Sequence, residues 1–177
     1  MNLNFEHLIP EDFDDTSRVW IYQSNRLFTL SESLQIEDLL ENFTERWNSH
    51  GIPVKGYANL FFGQFIVMIA DETATGVSGC STDSSVRLIK EIEQLFRVNL
   101  FDRLILAFVV KEKVQMVPFA QLTYALENNF IGATTVYFNN TVLDLKQLKN
   151  NWLIPVKHSW LNNDNRYSAL INKTITV

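Results

Sequence analysis

Apolar residues recur along the chain with two distinct periods. Ile36, Leu39, Leu40, Phe43 and Trp47 stand three and four positions apart, the spacing that puts side chains on one face of an α-helix. Val86, Ile89, Ile92 and Phe96 repeat that spacing and predict a second helix over 84–96. Between and after them run short apolar segments at 19–24, 58–62, 65–70, 104–110, 114–117 and 135–138, whose length and β-branched or aromatic content read as strands. Pro118 suits the first turn of a third helix, where its missing N–H has no partner to lose, and Phe119, Leu122, Leu126 and Phe130 would form the apolar face. Asp144 is placed to cap a short last helix that turns Leu145, Leu148 and Trp152 inward.

Local signals punctuate this pattern. Thr29-Leu30-Ser31-Glu32 has capping-box form, and Gly51 with Pro53 ends the first helix. Gly63-Gln64 and Lys111-Glu112-Lys113 each close a hairpin. The glycines and proline of NSHGIPVKGYANLFFGQF read as loop punctuation, with Lys55 facing the loop at 71–85 as the alternative. Hairpins are antiparallel, which disfavours a doubly wound parallel sheet. The fold class expected is therefore α+β: a mostly antiparallel or mixed sheet of hairpins with helices packed on one face. Residues 1–161 form a single domain in this reading, and 162–177 a polar C-terminal tail.

Composition narrows the function classes. The chain has 177 residues, 46% of them hydrophobic and 20% charged, enough to bury a core without staples. A single cysteine, Cys80, excludes an internal disulfide and leaves no cysteine–histidine metal spacing, so no metal is expected. The first residues are acidic and lack the basic-then-apolar order of a secretory signal, and the apolar runs are too short to span a bilayer. A cytoplasmic, reducing setting is expected. The charge of −5 is uneven: three Arg face ten Asp and Glu in residues 1–50, while five cations face two Asp in 140–177. Those cations are scattered, so nucleic acid is disfavoured as a partner.

The stretch DETATGVSGCSTDSS at 71–85 gathers two glycines, the cysteine and many hydroxyls between a strand and a helix. A helix start needs one cap, and Ser81, Thr82, Asp83 and Ser84 offer four in a row. That surplus marks a candidate site for a small polar ligand, with Gly76, Ser78, Gly79, Ser81, Thr82, Asp83, Ser84 and Arg87 around the helix N-terminus. A thiol-dependent enzyme, with Cys80 as nucleophile and His50 as base, is the alternative, because a helix N-terminus stabilises a thiolate. Three nucleotide or phosphate motifs are absent. The chain has no Gly-Lys pair for a Walker A loop, six residues separate Cys80 from Arg87 where a cysteine phosphatase needs five, and VSGCS shares only Ser-Gly with the ABC signature. His158-Ser159-Trp160 reads as core packing, with a lid or interface anchor as the alternative.

The phrases VWIYQSNR, WNSHG, PVKGYANLFFGQFIV, ADETATGVSGCSTDSSVRLIKEIEQLF, FDR, YFNNTV and VKHSW together resemble a family of small Bacteroidetes proteins often labelled "ABC transporter ATPase". The resemblance runs from about Val19 to Leu161 and carries over no catalytic residue or cofactor. The expected function is thus small-ligand or partner binding through 71–85. Self-association through an aromatic surface is a third reading, given thirteen Phe and four Trp.

Overall fold

The computed structural model describes residues 1–49, 51–73 and 79–173, without the side chains of 79–81. By contact the chain divides into two compact units: Asn4–Asp102 with Asn140–Lys149, and Met1–Leu3 with Arg103–Asn139 and Asn150–Val177. Every strand pair among the described residues is antiparallel, and helices pack beside the sheets, so the protein is α+β.

In the first unit, β1 (Arg18–Gln23) is followed by α1 (Leu30–Arg46), the short strands β2 (Asn48–Ser49) and β3 (Ile52–Pro53), the hairpin β4 (Lys55–Phe61) and β5 (Phe65–Asp71), and α2 (Gly79–Phe96). The sheet order is β1-β5-β4, and all seven residues of the central β5 are buried, as its unbroken apolar run requires. Alternation puts Ile66, Met68 and Ala70 on one face, where they pack with Ile36 and Leu40 of α1 and Ile89 and Ile92 of α2. Each of the isoleucine, leucine and methionine side chains contributes about 1.5–3 kcal/mol when removed from water. On the β4 side, Phe5 meets Phe61 edge-on at 6.1 Å.

α1 begins as its sequence predicts. The Thr29 hydroxyl accepts from the Glu32 N–H at 3.3 Å, and Glu32 Oε2 accepts from the Thr29 N–H at 2.8 Å. Arg26 then grips the same carboxylate with two bonds of 2.8 Å and donates a third to the Phe96 carbonyl, so one guanidinium ties the start of α1 to the end of α2. The β4–β5 turn differs slightly from expectation. Phe61 pairs with Phe65, so Phe62, Gly63 and Gln64 form a three-residue loop, and Phe62 (φ 54°) shares the left-handed region with Gly63 (φ 63°). Gly56 is not loop punctuation; it lies inside β4, where the Trp47 ring occupies the space of a Cβ. Lys55 reaches back to the Asp12 carbonyl and carboxylate and to Asp71 at 3.4 Å, with its ammonium 4.7 Å above the Phe13 ring.

In the second unit, β6 (Ile105–Val110) and β7 (Lys113–Pro118) form a hairpin, followed by α3 (Leu122–Glu127) and β8 (Val136–Phe138). α4 (Leu145–Asn151) carries the boundary between the units, and β9 (Leu153–Pro155) and α5 (Ser168–Lys173) complete the chain. The sheet order is β7-β6-β8-β9. Leu106, Phe108 and Val117 pack with Leu122, Ala125 and Leu126 of α3 and Ile171 of α5. Asp144 caps α4 as expected, accepting from the Gln147 N–H at 2.7 Å, and Leu145, Leu148 and Trp152 are buried.

Two expectations change here. Pro118 ends a strand and does not open a helix; a 3-10 turn, Phe119–Gln121, intervenes before α3. Its missing N–H falls on the edge of the sheet, which is the other place proline is tolerated. The segment 162–173 is no loose tail. Tyr167 and Ile171 are buried, and Arg166 lies over Phe119 and Tyr167 at 5.5 and 5.1 Å. Trp160 stacks on Phe119 at 6.1 Å and donates its indole N–H to the Tyr137 hydroxyl, while Ser159 accepts from the Leu161 N–H and donates to the Val156 carbonyl. Of the trio His158-Ser159-Trp160, Ser159 is buried and Trp160 is held by Phe119 and Tyr137, while His158 is exposed.

Candidate functional site

The site expected at 71–85 is reshaped by where α2 begins. The helix starts at Gly79, five residues earlier than its apolar face suggests. Ser81, Thr82, Asp83 and Ser84 are therefore helical residues, not a row of alternative caps. From Asp83 onward each backbone N–H has an acceptor four residues earlier, so none of these is left to face a ligand. Ser85, fully buried, bonds back to the Thr82 carbonyl at 2.8 Å, a local use of a hydroxyl that needs no ligand. His50, Gly76 and Ser78 lie outside the described residues, as do the side chains of Cys80 and Ser81. Asp83 and Arg87 are exposed.

At the strand end of the stretch, Asp71 closes a tight turn. Its Oδ1 accepts from the Thr73 N–H at 3.0 Å and hydroxyl at 2.6 Å. These bonds, with Lys55 beside it, hold its carboxyl below the usual aspartate range. Glu72 stands 3.6 Å from Arg18.

Among the described residues Ser84 is the expected one that borders a hollow. With Leu88, one turn further along α2, it forms one wall of a groove of about 400 Å³. The facing wall is a single stripe of α1, Leu39, Asn42, Phe43 and Arg46, and Trp47 and Asn48 continue it. The spacing i, i+3, i+4, i+7 explains why these four share a face. Phe43 and Trp47 rings meet at 5.1 Å, and Trp47 also contacts Trp20 at 6.2 Å, which fixes the aromatic floor. Asn42 donates to the Asp38 carbonyl at 2.7 Å and Asn48 to the Arg46 carbonyl at 3.1 Å. Among the described residues no carboxylate stands within ion-pair distance of the Arg46 guanidinium. The groove thus offers one cation, carboxamides and an aromatic surface. The α1 residues are hard to find in sequence because Leu39, Phe43 and Trp47 read simply as a core-facing stripe.

Among the described residues no cluster of three or more His, Cys, Asp and Glu is placed to hold a metal ion, and no helix is long and apolar enough to cross a membrane. No family model, curated protein or solved structure matches the chain. The class that fold and site define is an α+β protein with an open groove between two helices of its first unit.

Proposed function

We propose that the chain binds a small ligand carrying a carboxylate or a similar acceptor beside a flat apolar group, in the groove between α1 and the first turns of α2. One observation supports this reading above the others. Arg46, with no carboxylate partner among the described residues, stands on the same stripe as Phe43, and Ser84 closes the groove from the opposite helix. A guanidinium matches a planar anion through paired N–H donors, and the part-exposed Phe43 ring, backed by the buried Trp47, gives a flat ligand area to cover. The alternative reading, a thiol enzyme with Cys80 as nucleophile and His50 as base, rests on residues outside those described.

The test is a titration of the full chain with a panel of aromatic and aliphatic carboxylates, read by amide and side-chain NMR. Shifts concentrated at Phe43, Trp47, Ser84 and Leu88, with affinity reduced at least tenfold by Arg46→Ala, are the expected result. Shifts scattered over the surface, or affinity unchanged by Arg46→Ala, would discard the reading.

A further inference from the structure

A second hollow, of about 600 Å³, lies in the second unit between the β6–β7 hairpin and α3. Val110, Gln115 and Val117 form its sheet wall; Gln121, Tyr124 and Asn128 face them. Lys111 lines it at the hairpin, and Asn129 and Phe130 follow α3. Tyr124 is 70% exposed and Phe130 46%, large areas for aromatic rings to leave in water. No aspartate or glutamate is among its lining residues.

Beside this hollow runs a sheet edge that no other strand covers among the described residues. β7 pairs with β6 alone among the described residues. The pairing parity is fixed by the Phe119 N–H, which donates to the Leu104 carbonyl at 2.7 Å and so continues the ladder one step past Ile105↔Pro118. Counting by twos, Val117, Gln115 and Lys113 exchange bonds with β6, while Val114 and Met116 turn their N–H and C=O groups to the open side. Pro118 is the next outward position and has no N–H to offer. Four backbone groups on alternate residues, about 7 Å apart, stand ready for a complementary strand.

We propose that this edge and its adjoining hollow bind an extended peptide segment of another protein, one that adds a short strand to β7 and lays an apolar or aromatic side chain into the hollow. Only a peptide backbone supplies donors and acceptors at the repeat of Val114 and Met116, and strand addition of this kind leaves alternate side chains for a neighbouring pocket to read. Charge sets the composition. Lys111 and Lys113 flank the exposed Glu112, which stands 3.8 Å from the Met1 ammonium; neither lysine has an ion pair among the described residues, so the hairpin end stays net cationic and the peptide carries a carboxylate there. The same features argue against a second copy of the chain as occupant: Pro118 cuts the pairing to two outward residues, and lysine and proline on an edge are the usual guards against edge-to-edge association. The site is independent of the α1–α2 groove.

The experiment selects displayed random decapeptides on the full chain, then measures the enriched peptides by fluorescence anisotropy. Enriched sequences are expected to pair an acidic residue with an apolar or aromatic one. Methylating the backbone nitrogen at the paired peptide position, and the substitution Met116→Pro, should each weaken binding at least tenfold. The Met116 N–H points outward, so proline there spares the β6–β7 ladder. Should that variant fail to fold, the methylated peptide on the unaltered chain decides. The proposal is overturned if no peptide is enriched, if enriched peptides tolerate both changes, or if their binding follows Arg46→Ala. It is equally overturned if the edge proves occupied by a second copy, seen as a concentration-dependent dimer that Met116→Pro dissolves.

Discussion

Trp47 shows how much one side chain decides. Its ring meets Phe43 and Trp20, borders the α1–α2 groove, and lies across the α-carbon of Gly56. Gly56 has an ordinary strand conformation, so its lack of a side chain answers a demand for space, not for a left-handed backbone. In sequence it reads as one more loop glycine, because nothing local reports a ring arriving from a residue nine positions away. A methyl group there would overlap the Trp47 ring and force it to move. Gly56→Ala is expected to lower stability by about 1–3 kcal/mol, the range for overpacking a filled site. Urea unfolding followed by circular dichroism measures this, and tryptophan fluorescence of the folded variant should report the displaced ring. An unchanged midpoint would mean the sheet gives way at no cost.

At the scale of elements, the start of α1 was fully legible and the start of α2 was not. Thr29 and Glu32 satisfy each other within four residues, so local chemistry names the boundary. The Glu32 carboxyl is lowered from 4.5 to about 2, first by the Arg26 hydrogen bonds and then by the Thr29 N–H. A lowered folded value means the carboxylate stabilises the protein above its unfolded value of 4.5 and ceases to do so as pH falls through about 2. Glu32→Gln should therefore flatten the acid limb of stability between these pH values and cost a share of the cap's worth, about 0.5–2 kcal/mol, at neutral pH. A series of urea midpoints against pH, compared between the two chains, checks it. Equal slopes in that window would remove Glu32 from the account. α2, by contrast, begins among residues that are all good caps. Its apolar stripe starts only at residue 86, so period alone places the start too late.

At the scale of the whole molecule, each unit has its own buried cluster. Leu122 is fully buried in the cluster of the second unit, together with Phe108, Val117 and Ile171. Leu122→Ala is expected to cost about 2–5 kcal/mol, depending on how far the neighbours close the cavity. Hydrogen exchange should then quicken first at the amides of β6, β7 and α3, with those of β5 changing less. Uniform acceleration over the chain would show that the two clusters open as one.

The sequence by itself determined what depends on near neighbours. That covers the two long helical stripes, the hairpins, the capping box at Thr29, the Asp144 cap and the α+β class that follows from antiparallel hairpins between helices. It also singled out 71–85, of which Ser84 alone among the described residues borders the groove. Tertiary structure decided the rest. It set the three sheets and their order, the docking of α5 through Ile171, and the use of Gly56 as a seat for Trp47. The grooves, too, are tertiary features. Arg46 and Ser84 are 38 positions apart in the chain and line one groove only because two helices pack side by side. Val114 and Met116 look like any strand residues until pairing parity turns their backbones outward. Periodicity records which face of an element is apolar. It holds no record of which faces meet, and hollows are made where they meet imperfectly.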